Sequence, residues 1–448
     1  MYWANFLHFY QPPTQKKEWV DRITKESYQR VLGGLLENPE AKITFNINGI
    51  LFDLWKQFGH QNVIEMVGEL AGRGQIELTG SAKFHPLLPK LPEDEIKRQI
   101  ELNFKTLQEY LGDSCRPKGF FPPEMAYDVN VARVAREMGF SWIIAEELSL
   151  DLRGLERDRI YQEKETGIMI FFRDRAFSYQ ILSGQLGTAN LFLKALGDRL
   201  GKNEYLLTAM DGETFGHHRP GMDKALMELL QLEQVPTILI SDLPEKFPQV
   251  EVVETRPSTW ALMEKDLEKK IPFARWDDPG NEIHEFQWEL TDLAIKAVRE
   301  SKNPGGARKM LDRSLHSDQY WWASARPWWS LEMVERGAFE LKETILAVSD
   351  ASEEVKRRAQ KLYFDILTKG FEWQRTGKVE ELAHKEDEEV RMRTDAGLPS
   401  LPKEELEKII AHIQEEMEEV AKHQEYERAA LLRDRVRELK GYLEDGRS

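Results

Sequence analysis

The sequence predicts an α/β protein: a distorted (β/α)7-type barrel, followed by a helical domain and a C-terminal helical hairpin. Short apolar or β-branched runs alternate with helical patterns from the start of the chain to about Leu243. Helices that separate strands imply parallel pairing, and seven or eight strands over this length favour a closed barrel over an open sheet. No Gly-x-Gly-x-x-Gly motif follows the first strand, so a dinucleotide-binding sheet is not expected.

The individual strands and helices are predicted from the periodicity of the apolar residues. The strand patterns share an apolar or β-branched composition and cover residues 2–8, 42–48, 75–80, 119–121, 142–145, 168–172, 205–209 and 237–240. The clearest helical patterns between them cover residues 28–36, 63–71, 94–111 and 129–138. Together they predict a barrel domain over residues 1–280.

A helical domain packed on the barrel is predicted over residues 281–376, where strand patterns give way to long helical ones. This region is rich in aromatic side chains, notably Trp288 and those at residues 316–322 and 327–329. Such a cluster either fills the core between helices or offers flat faces on which sugar rings stack. The sequence leaves both interpretations open.

The last part of the chain combines a predicted linker with a predicted hairpin. Residues 377–402 are polar and charged, with a glycine and prolines near their end, which is typical of a linker. Apolar residues then recur at spacings of three and four over residues 403–443, as in two amphipathic helices of an antiparallel hairpin. A hairpin of this size buries too little surface alone, so we expect it to pair with another chain or to dock on the body.

The composition argues against several classes of partner. The formal net charge of −16 at pH 7 disfavours nucleic acid and anionic membrane surfaces, and it suits a neutral substrate such as a sugar. No apolar run approaches the roughly 20 residues of a membrane span, and the N-terminal residues do not resemble a signal peptide. The single cysteine, Cys115, suits a reducing compartment. We therefore expect a cytoplasmic protein that binds neither nucleic acid nor membrane.

Two acidic residues follow predicted strands in the manner of a catalytic pair. Asp211 comes directly after one strand, in a loop that also holds Glu213 and His217. Glu124 comes after another strand and two prolines, which restrain the backbone before it. Loops at the carboxyl ends of parallel strands form the ligand sites of such folds. Two carboxylates brought together there are the groups that glycoside hydrolysis needs.

Other polar residues near strand ends are candidate substrate-binding residues with two interpretations each. His8 and His85 either bind sugar hydroxyls or have a structural role. Arg173 and Asp174 either bind substrate or form internal ion pairs.

The loop after Asp211 offers further candidates. Glu213 either raises the pKa of Asp211 through its like charge or pairs with Arg219. Of His217 and His218, one is expected to face the cleft and the other to face outward, and His217 is the candidate substrate-binding residue.

Short motifs in residues 1–330 resemble those of glycoside hydrolase family 57, a family of retaining α-glucan enzymes. The most specific is Asp-Gly-Glu-Thr-Phe-Gly at 211–216, and Phe-Pro-Pro-Glu at 121–124 corresponds to another. The remaining motifs are matched by His-Phe-Tyr-Gln-Pro at 8–12, by Gly-Gln-Ile-Glu-Leu-Thr-Gly at 74–80 with His85 and Pro86 following, and by Thr259 and Trp260 with Trp276.

The resemblance implies an enzyme of the α-amylase or 4-α-glucanotransferase type, acting on α-glucans or oligosaccharides by double displacement. It assigns Glu124 as the nucleophile and Asp211 as the acid/base, and it adds Gln11, Trp260 and Trp276 to the substrate-binding residues. Retaining enzymes hold the two carboxyl groups about 5–5.5 Å apart, so both should face a single pocket. The acid must stay protonated near neutral pH, so burial should raise the pKa of Asp211.

Residues 426–434 resemble the UVR hairpin of the excision-repair proteins UvrB and UvrC. Because that hairpin is a protein–protein contact module, the resemblance implies a protein partner or self-association through the C-terminal hairpin, without implying DNA repair. Deleting residues 403–448 is accordingly expected to leave the chemistry intact and to change assembly or partner binding.

Two other functions remain open on the sequence. A non-catalytic glycan-binding or scaffold protein would keep the sugar cleft and use the hairpin to recruit a partner. A metal-dependent polysaccharide deacetylase would need a metal site, which His8, His85, Asp211 and His217 could form at the barrel mouth. The sequence has no His-x-x-x-His or His-Glu-x-x-His motif, so we expect neither a metal nor another cofactor.

Overall fold

The computed structural model describes residues 1–112, 115–150, 155–386 and 401–445. In these ranges nine strands form two sheets, and the predicted α/β class is confirmed. The strands are β1 (Tyr2–Phe9), β2 (Ile43–Ile47), β3 (Ile76–Leu78), β4 (Gly119–Phe120), β5 (Trp142–Glu146), β6 (Ile160–Glu163), β7 (Met169–Arg173), β8 (Tyr205–Asp211) and β9 (Val250–Val253).

The two sheets enclose one apolar core and turn their other faces to helices. The first sheet has the order β3, β2, β1, β8 and is parallel throughout. The second has the order β4, β5, β7, β6, β9, in which β6 and β7 are antiparallel. Ala4 and Phe6 of β1 pack in the core shared by both sheets, while Trp3 and Leu7 pack against helices. This two-sided burial explains why the strand patterns are apolar runs without alternation.

The predicted closed (β/α)7 barrel is not confirmed. β3 and β4 are joined by a bridge in which the Gly80 amide donates to the Gly119 carbonyl (2.8 Å) and the Phe121 amide donates to the Gly80 carbonyl (2.9 Å). β7 and β8 are joined by a hydrogen bond from the Asp174 amide to the Leu207 carbonyl (2.6 Å). Because β3 and β4 are only three and two residues long, they are too short to continue a ladder across the gap.

One predicted strand does not form, and two strands of the structure were not predicted. Residues 237–240 form no strand: Thr237 makes one bridge to Trp3, and a 3₁₀ turn begins at Ile240. The sequence also fails to predict β9, which is the edge strand of the second sheet, and β6 beside it. There Val250 and Val252 of β9 are more than half exposed, at 56% and 58%, so the strand has no buried apolar run.

The helices around the sheets agree better with the sequence. The predicted helices at 28–36, 63–71, 94–111 and 129–138 are confirmed as α2, α4, α5 and α6. The helices of this part are α1 (Lys17–Ile23), α2 (Gln29–Glu37), α3 (Gly49–Phe58), α4 (Gln61–Gly72), α5 (Glu93–Leu111), α6 (Val129–Glu137), α7 (Arg175–Leu182), α8 (Ala189–Leu196), α9 (Met222–Leu230), α10 (Leu243–Lys246) and α11 (Glu264–Glu268). A π-helical turn, Thr24–Tyr28, joins α1 to α2.

A helical region follows the strands and packs on the second sheet. Its helices are α12 (Glu282–Glu300), α13 (Gly305–Ser314), α14 (Asp318–Trp321), α15 (Leu331–Leu346), α16 (Glu353–Thr376) and α17 (Lys378–His384). Ile283 and Leu341 share a core with Ile143 and Ile170 of the sheet. The predicted linker is partly helical, because α17 lies within it, and residues 387–400 of that linker lie outside the described residues.

The C-terminal residues form the predicted hairpin of two helices, α18 (Lys403–Lys422) and α19 (Tyr426–Asp445). Its core consists of apolar residues at the predicted spacing, namely Leu406, Ile410, Ile413, Val420, Leu432, Val436 and Leu439. The hairpin docks on the body, where Ile409 and Ile413 lie next to Gly187 and Gly221. Docking is one of the two arrangements that the sequence predicts, and pairing with another chain stays a prediction. None of the described helices is long and apolar enough to cross a membrane.

Candidate active site

A cavity of about 340 Å³ lies at the carboxyl ends of β1, β4 and β8. Residues from the loops after these strands line it together with residues at the start of α14. Seven of the predicted site residues meet there: Glu124, Asp211, His8, Gln11, His85, Glu213 and Trp260.

Strand register places Asp211 at the rim of this cavity. Asp211 is the last residue of β8 and lies beside His8, its partner on β1. The chain then turns at Gly212, where a Cβ atom would lie 1.9 Å from the ring of Phe9. Only glycine fits at this close approach, so the Asp-Gly pair fixes both the end of the strand and the direction of the loop.

The loop after Asp211 is held by the π-helical turn Thr24–Tyr28. Three consecutive side chains of this turn contact it: Glu26 accepts a hydrogen bond from His217 (2.5 Å), Ser27 donates to the Gly212 carbonyl (2.9 Å), and Tyr28 donates to Glu213. A π-turn carries one residue more than an α-turn, and such turns are frequent at functional sites. Here the π-turn allows three adjacent side chains to contact one short loop.

Glu124 occupies a strained and well-bound position. Its backbone is left-handed, with φ 60°, in the 3₁₀ turn after Pro122. A non-glycine residue adopts this conformation only where surrounding contacts impose it, which is common in active sites. Its carboxyl group accepts hydrogen bonds from the indole of Trp260 (3.0 Å) and the hydroxyl of Ser317 (3.1 Å), and His85 Nδ1 lies 3.6 Å away.

A chain of hydrogen bonds continues from Ser317 into the protein. Ser317 lies 3.0 Å from His85 Nδ1, the Nε2 atoms of His85 and His8 are 3.1 Å apart, and His8 Nδ1 lies 2.8 Å from the side-chain oxygen of Asn46. Because that oxygen can only accept, His8 donates to Asn46 and accepts from His85. Burial lowers the pKa of both imidazoles, so both are neutral and His85 Nδ1 is an acceptor that faces Ser317.

The direction of these hydrogen bonds affects the protonation of Glu124. The single hydroxyl proton of Ser317 cannot serve both His85 and Glu124: Ser317 donates to Glu124 when that group is a carboxylate, and it can donate to His85 when Glu124 is protonated and itself donates to Ser317. Burial raises the pKa of Glu124 to about 8, and the negative charges of Asp318 and Asp211 act in the same direction. Glu124 therefore carries a proton at neutral pH.

The other two acids of the cavity also have raised pKa values. Burial raises the pKa of Asp211 to about 6, against the opposing charge of Arg173. Burial and the nearby charge of Asp211 raise the pKa of Glu213 to about 8. The predicted rise of the pKa of Asp211 by burial is found. Glu213 is bound by Tyr28 and Gln11 within the cavity.

The sequence analysis did not identify three residues at the start of α14 as site residues. Ser317 binds Glu124, and Asp318 accepts a hydrogen bond from Tyr10 (2.6 Å) and lies 3.0 Å from His316 Nδ1. Burial opposes the charged forms of this ion pair, yet Asp318 and Glu340 raise the pKa of His316 to about 9. The available signal is the polar triplet His-Ser-Asp at 316–318 inside an otherwise aromatic segment.

Four predicted site residues do not line this cavity, although one of them, Arg173, lines the cavity next to it. Arg173 is almost fully buried and bonds to Glu146 (2.5 Å) and to the Trp260 carbonyl (2.8 Å), so it forms an internal ion pair and orients Trp260. The Asp174 carboxylate caps α7 and pairs with Arg199 (3.1 Å). Both residues use the internal pairing that the sequence left open.

The other two predicted substrate-binding residues outside this cavity are His217 and Trp276. His217 binds Glu26 and lies between the body and the hairpin, whereas His218 is the histidine that lines the cavity. Trp276 is fully buried in a core with Trp288 and stacks near Trp321, so its role is in packing. The aromatic cluster of the helical region therefore serves both purposes, since Trp321 also lines the cavity.

A second cavity of about 210 Å³ adjoins the first and shares Asp211, Trp260 and Trp321 with it. Trp328 lies on its wall and is 47% exposed. The two cavities together form a cleft with Asp211 at its middle. In the described part of the chain, no group of three or more His, Cys, Asp or Glu side chains is arranged to hold a metal ion.

Comparison with known proteins agrees with the resemblance noted in the sequence. Residues 5–256 match glycosyl hydrolase family 57, and residues 407–442 match the UvrB/UvrC motif. An α-amylase of Pyrococcus horikoshii is 24% identical over 47% of this chain and 33% of its own length. A 4-α-glucanotransferase of Thermococcus kodakarensis is 24% identical over 47% of this chain and 32% of its own length. The aligned region thus spans about a third of these relatives.

Solved structures show the same fold. The 4-α-glucanotransferase of Thermococcus litoralis has a TM-score of 0.62 at 18% identity, with 77% of this chain and 58% of that chain covered. A family 57 branching enzyme of Thermococcus kodakaraensis has a TM-score of 0.62 at 17% identity, with 80% and 94% covered.

The hydrogen bond from Trp260 to Glu124 gives a testable prediction. Replacing Trp260 by Phe removes a donor that favours the carboxylate, so the pKa of Glu124 should rise above its wild-type value by about 1–2 units. The titration can be followed by NMR of ¹³C-labelled glutamate carboxyl groups, with Glu124→Gln to assign the signal. Trp322→Phe changes another tryptophan of the same cavity and should leave the pKa unchanged. An equal shift in both variants would contradict the role of the indole.

Proposed function

Because the chain belongs to glycosyl hydrolase family 57, we propose that it cleaves or transfers α-glycosidic bonds of α-glucans by double displacement. Glu124 is the proposed nucleophile and Asp211 the proposed acid/base. The observation that carries the proposal is that both carboxyl groups line one cavity. Burial raises the pKa of Glu124, and the charges of Asp318 and Asp211 act in the same direction. The single cysteine, Cys115, supports a reducing, cytoplasmic setting.

The proposed reaction has two steps with opposite proton movements. In the first step the Glu124 carboxylate attacks the anomeric carbon, the glycosidic bond breaks, and Asp211 gives its proton to the leaving oxygen. In the second step Asp211 takes a proton from water or from a sugar hydroxyl, and that oxygen displaces Glu124 from the anomeric carbon. The configuration is inverted twice and so retained.

The proton shared by the two carboxyl groups must move from Glu124 to Asp211 before attack. With a pKa of about 8 for Glu124 and about 6 for Asp211, one proton is shared by the pair between these values and resides mainly on Glu124. The productive form places that proton on Asp211. Donors at Trp260 and Ser317 favour the Glu124 carboxylate, and the positive charge that develops at the sugar ring favours it further.

The shape of the cleft supports a chain of sugars as substrate. Asp211 lies where the two cavities meet, so sugar rings on either side of the scissile bond have a cavity each. The faces of Trp321 and Trp328, with ring centroids 6.4 Å apart, suit the apolar faces of pyranose rings. The negative charges of the site disfavour an anionic ligand and suit a neutral glucan.

Removal of the nucleophile should stop turnover. Glu124→Ala should lower kcat on maltooligosaccharides by at least about 10⁴-fold, because no covalent intermediate can form. Added azide should then restore turnover by occupying the vacated space and attacking the anomeric carbon, which gives a glycosyl azide of inverted configuration. Product configuration is read by NMR. Turnover close to that of the wild type, or azide rescue of Asp211→Ala with inversion but not of Glu124→Ala, would contradict the assignment.

The shared proton predicts a bell-shaped pH profile of kcat/KM, with limbs near pH 6 and pH 8. Below the acid limb both carboxyl groups are protonated and Glu124 is not a nucleophile. Above the alkaline limb both are ionised and no acid remains. Glu65→Gln, on the exposed side of α4, is the matched control and should leave both limbs in place. A profile that is flat from pH 5 to 9 would contradict the paired titration.

The second cavity predicts a dependence on chain length. Trp328→Ala should raise KM for long maltooligosaccharides by about 2- to 12-fold, the equivalent of one lost aromatic contact, and should affect short ones less. Trp19 is exposed to a similar extent on α1, outside the cleft, and Trp19→Ala should leave KM unchanged. An equal KM change for all chain lengths would argue against sugar binding at Trp328.

A further inference from the structure

The C-terminal hairpin is fastened to the body by two buried glutamates of α18. Glu405 accepts hydrogen bonds from Thr188, the N-cap residue of α8, and from Asn190 (2.6 Å). Glu416 accepts one from the backbone amide of Gly221 (2.9 Å), the N-cap residue of α9. Eleven residues make about three helical turns, so both carboxylates lie on one face of α18. Each meets the positive end of a body helix, where a negative charge is stabilised.

Arg428 of α19 extends this contact to the candidate active site. Its side chain is 8% exposed and pairs with Glu416 within the hairpin and with Glu26 of the body (3.2 Å). It also donates to the carbonyl of Gly216 (3.5 Å), in the loop that follows Asp211. One cation of the hairpin thus joins the π-helical turn to the catalytic loop.

Residues 212–218 lie between the π-helical turn Thr24–Tyr28 and Arg428 of the hairpin. Glu26 binds His217, and a Cβ atom at Gly216 would lie 2.1 Å from the Glu26 carbonyl oxygen, so the loop and the π-turn are in direct contact. Gly216 has φ 102°, which suits glycine alone and makes the loop conformation specific. Arg428 closes this arrangement from the outer side.

His218 lies between the active-site cavity and the hairpin. It lines the active-site cavity and also a cavity of about 260 Å³ between the body and the hairpin. A shift of residues 216–218 would therefore change the wall of the active site. The same loop directly follows Asp211, whose backbone the strand register places, and it carries Glu213, so a shift of the loop would move Glu213 and the support beside the Asp211 side chain.

Loss of Arg428 would disturb the loop for an electrostatic reason. Glu26 and Glu416 are almost fully buried, and Arg428 lies between them. Removing one partner of a buried ion pair leaves the remaining charges less compensated, which favours a shift of the surrounding structure that admits water or another donor. The Gly216 carbonyl loses a donor at the same time. Arg30 (3.3 Å) would still neutralise part of the charge of Glu416, and Arg22 (3.0 Å) part of the charge of Glu26, so the effect should be greatest at the Gly216 carbonyl, to which Arg428 donates.

We propose that Arg428 is a positioning residue, through which the C-terminal hairpin holds residues 212–218 and aims Asp211 and Glu213. The hairpin is then part of the support of the active site, and deleting it lowers turnover, contrary to the expectation from the sequence. This inference rests on the proposed function of Asp211, but the contact itself can be tested without any activity.

The test compares full-length variants of the hairpin. Arg428→Met should lower kcat on maltooligosaccharides by about 10- to 100-fold with little change in KM, because the acid is misplaced while the sugar cleft remains. Arg428→Lys should recover part of kcat, since an ammonium group can still pair with Glu26. Arg437→Met, a change at a residue of α19 that is 76% exposed, should behave as the wild type. Glu405→Gln should lower the thermal stability by weakening docking at α8 while kcat stays unchanged.

A second measurement separates this inference from the proposed function. In protein labelled at histidine, the side-chain NMR signals of His217, assigned with His217→Gln, should shift in Arg428→Met and not in Arg437→Met. Unchanged His217 signals, or a lowered stability of Arg428→Met with unchanged kcat, would overturn the positioning role. If the wild-type protein has no activity on any α-glucan, the proposed function fails, and the NMR comparison still decides whether Arg428 holds the loop.

Discussion

The cost of burying negative charge governs the structure around the active site. Four acidic side chains line one cavity of about 340 Å³, namely Glu124, Asp211, Glu213 and Asp318. Buried carboxyl groups must be protonated, paired or hydrogen-bonded, because burial disfavours the charged form. Asp318 is paired with His316, whose pKa of about 9 keeps it charged at neutral pH. The other three have raised pKa values: Glu124 and Glu213 retain protons at neutral pH, and Asp211 titrates near pH 6, so protons can move among them in the range that acid–base chemistry requires.

Acids that repel one another stay together only if the backbone imposes their positions. Asp211 is placed by the register between β1 and β8, and Glu124 by a left-handed turn after two prolines. The loop after Asp211 is bound on its inner side by the π-helical turn Thr24–Tyr28 and on its outer side by Arg428. The two sheets are not joined by continuous ladders, but this does not weaken the arrangement, because the strand ends at the cavity are held by their neighbours.

The sequence predicts those parts of the site that depend on local order along the chain. Glu124 and Asp211 are found because an acid directly follows an apolar strand, and parallel strands direct such residues to one edge. Asp318 and Ser317 are missed because they reach the cavity from the start of a helix about 190 residues after Glu124, and no strand precedes them there. The sequence places Arg173, Asp174 and His217 at or after strand ends. In the structure their side chains bind partners elsewhere in the fold and do not line the cavity of the two acids.

The hairpin shows the same division between local and tertiary information. Its apolar spacing predicts two packed helices, and that spacing is common to a contact module on any protein. What the module contacts depends instead on its polar residues, and in this chain Glu405, Glu416 and Arg428 are all buried against the body. A buried carboxylate at a helix N-terminus or beside an arginine is stabilised only while that partner is present. A free partner that displaced the body would have to supply equivalent donors for both glutamates, so the polar residues that dock the hairpin also restrict which partners can take its place.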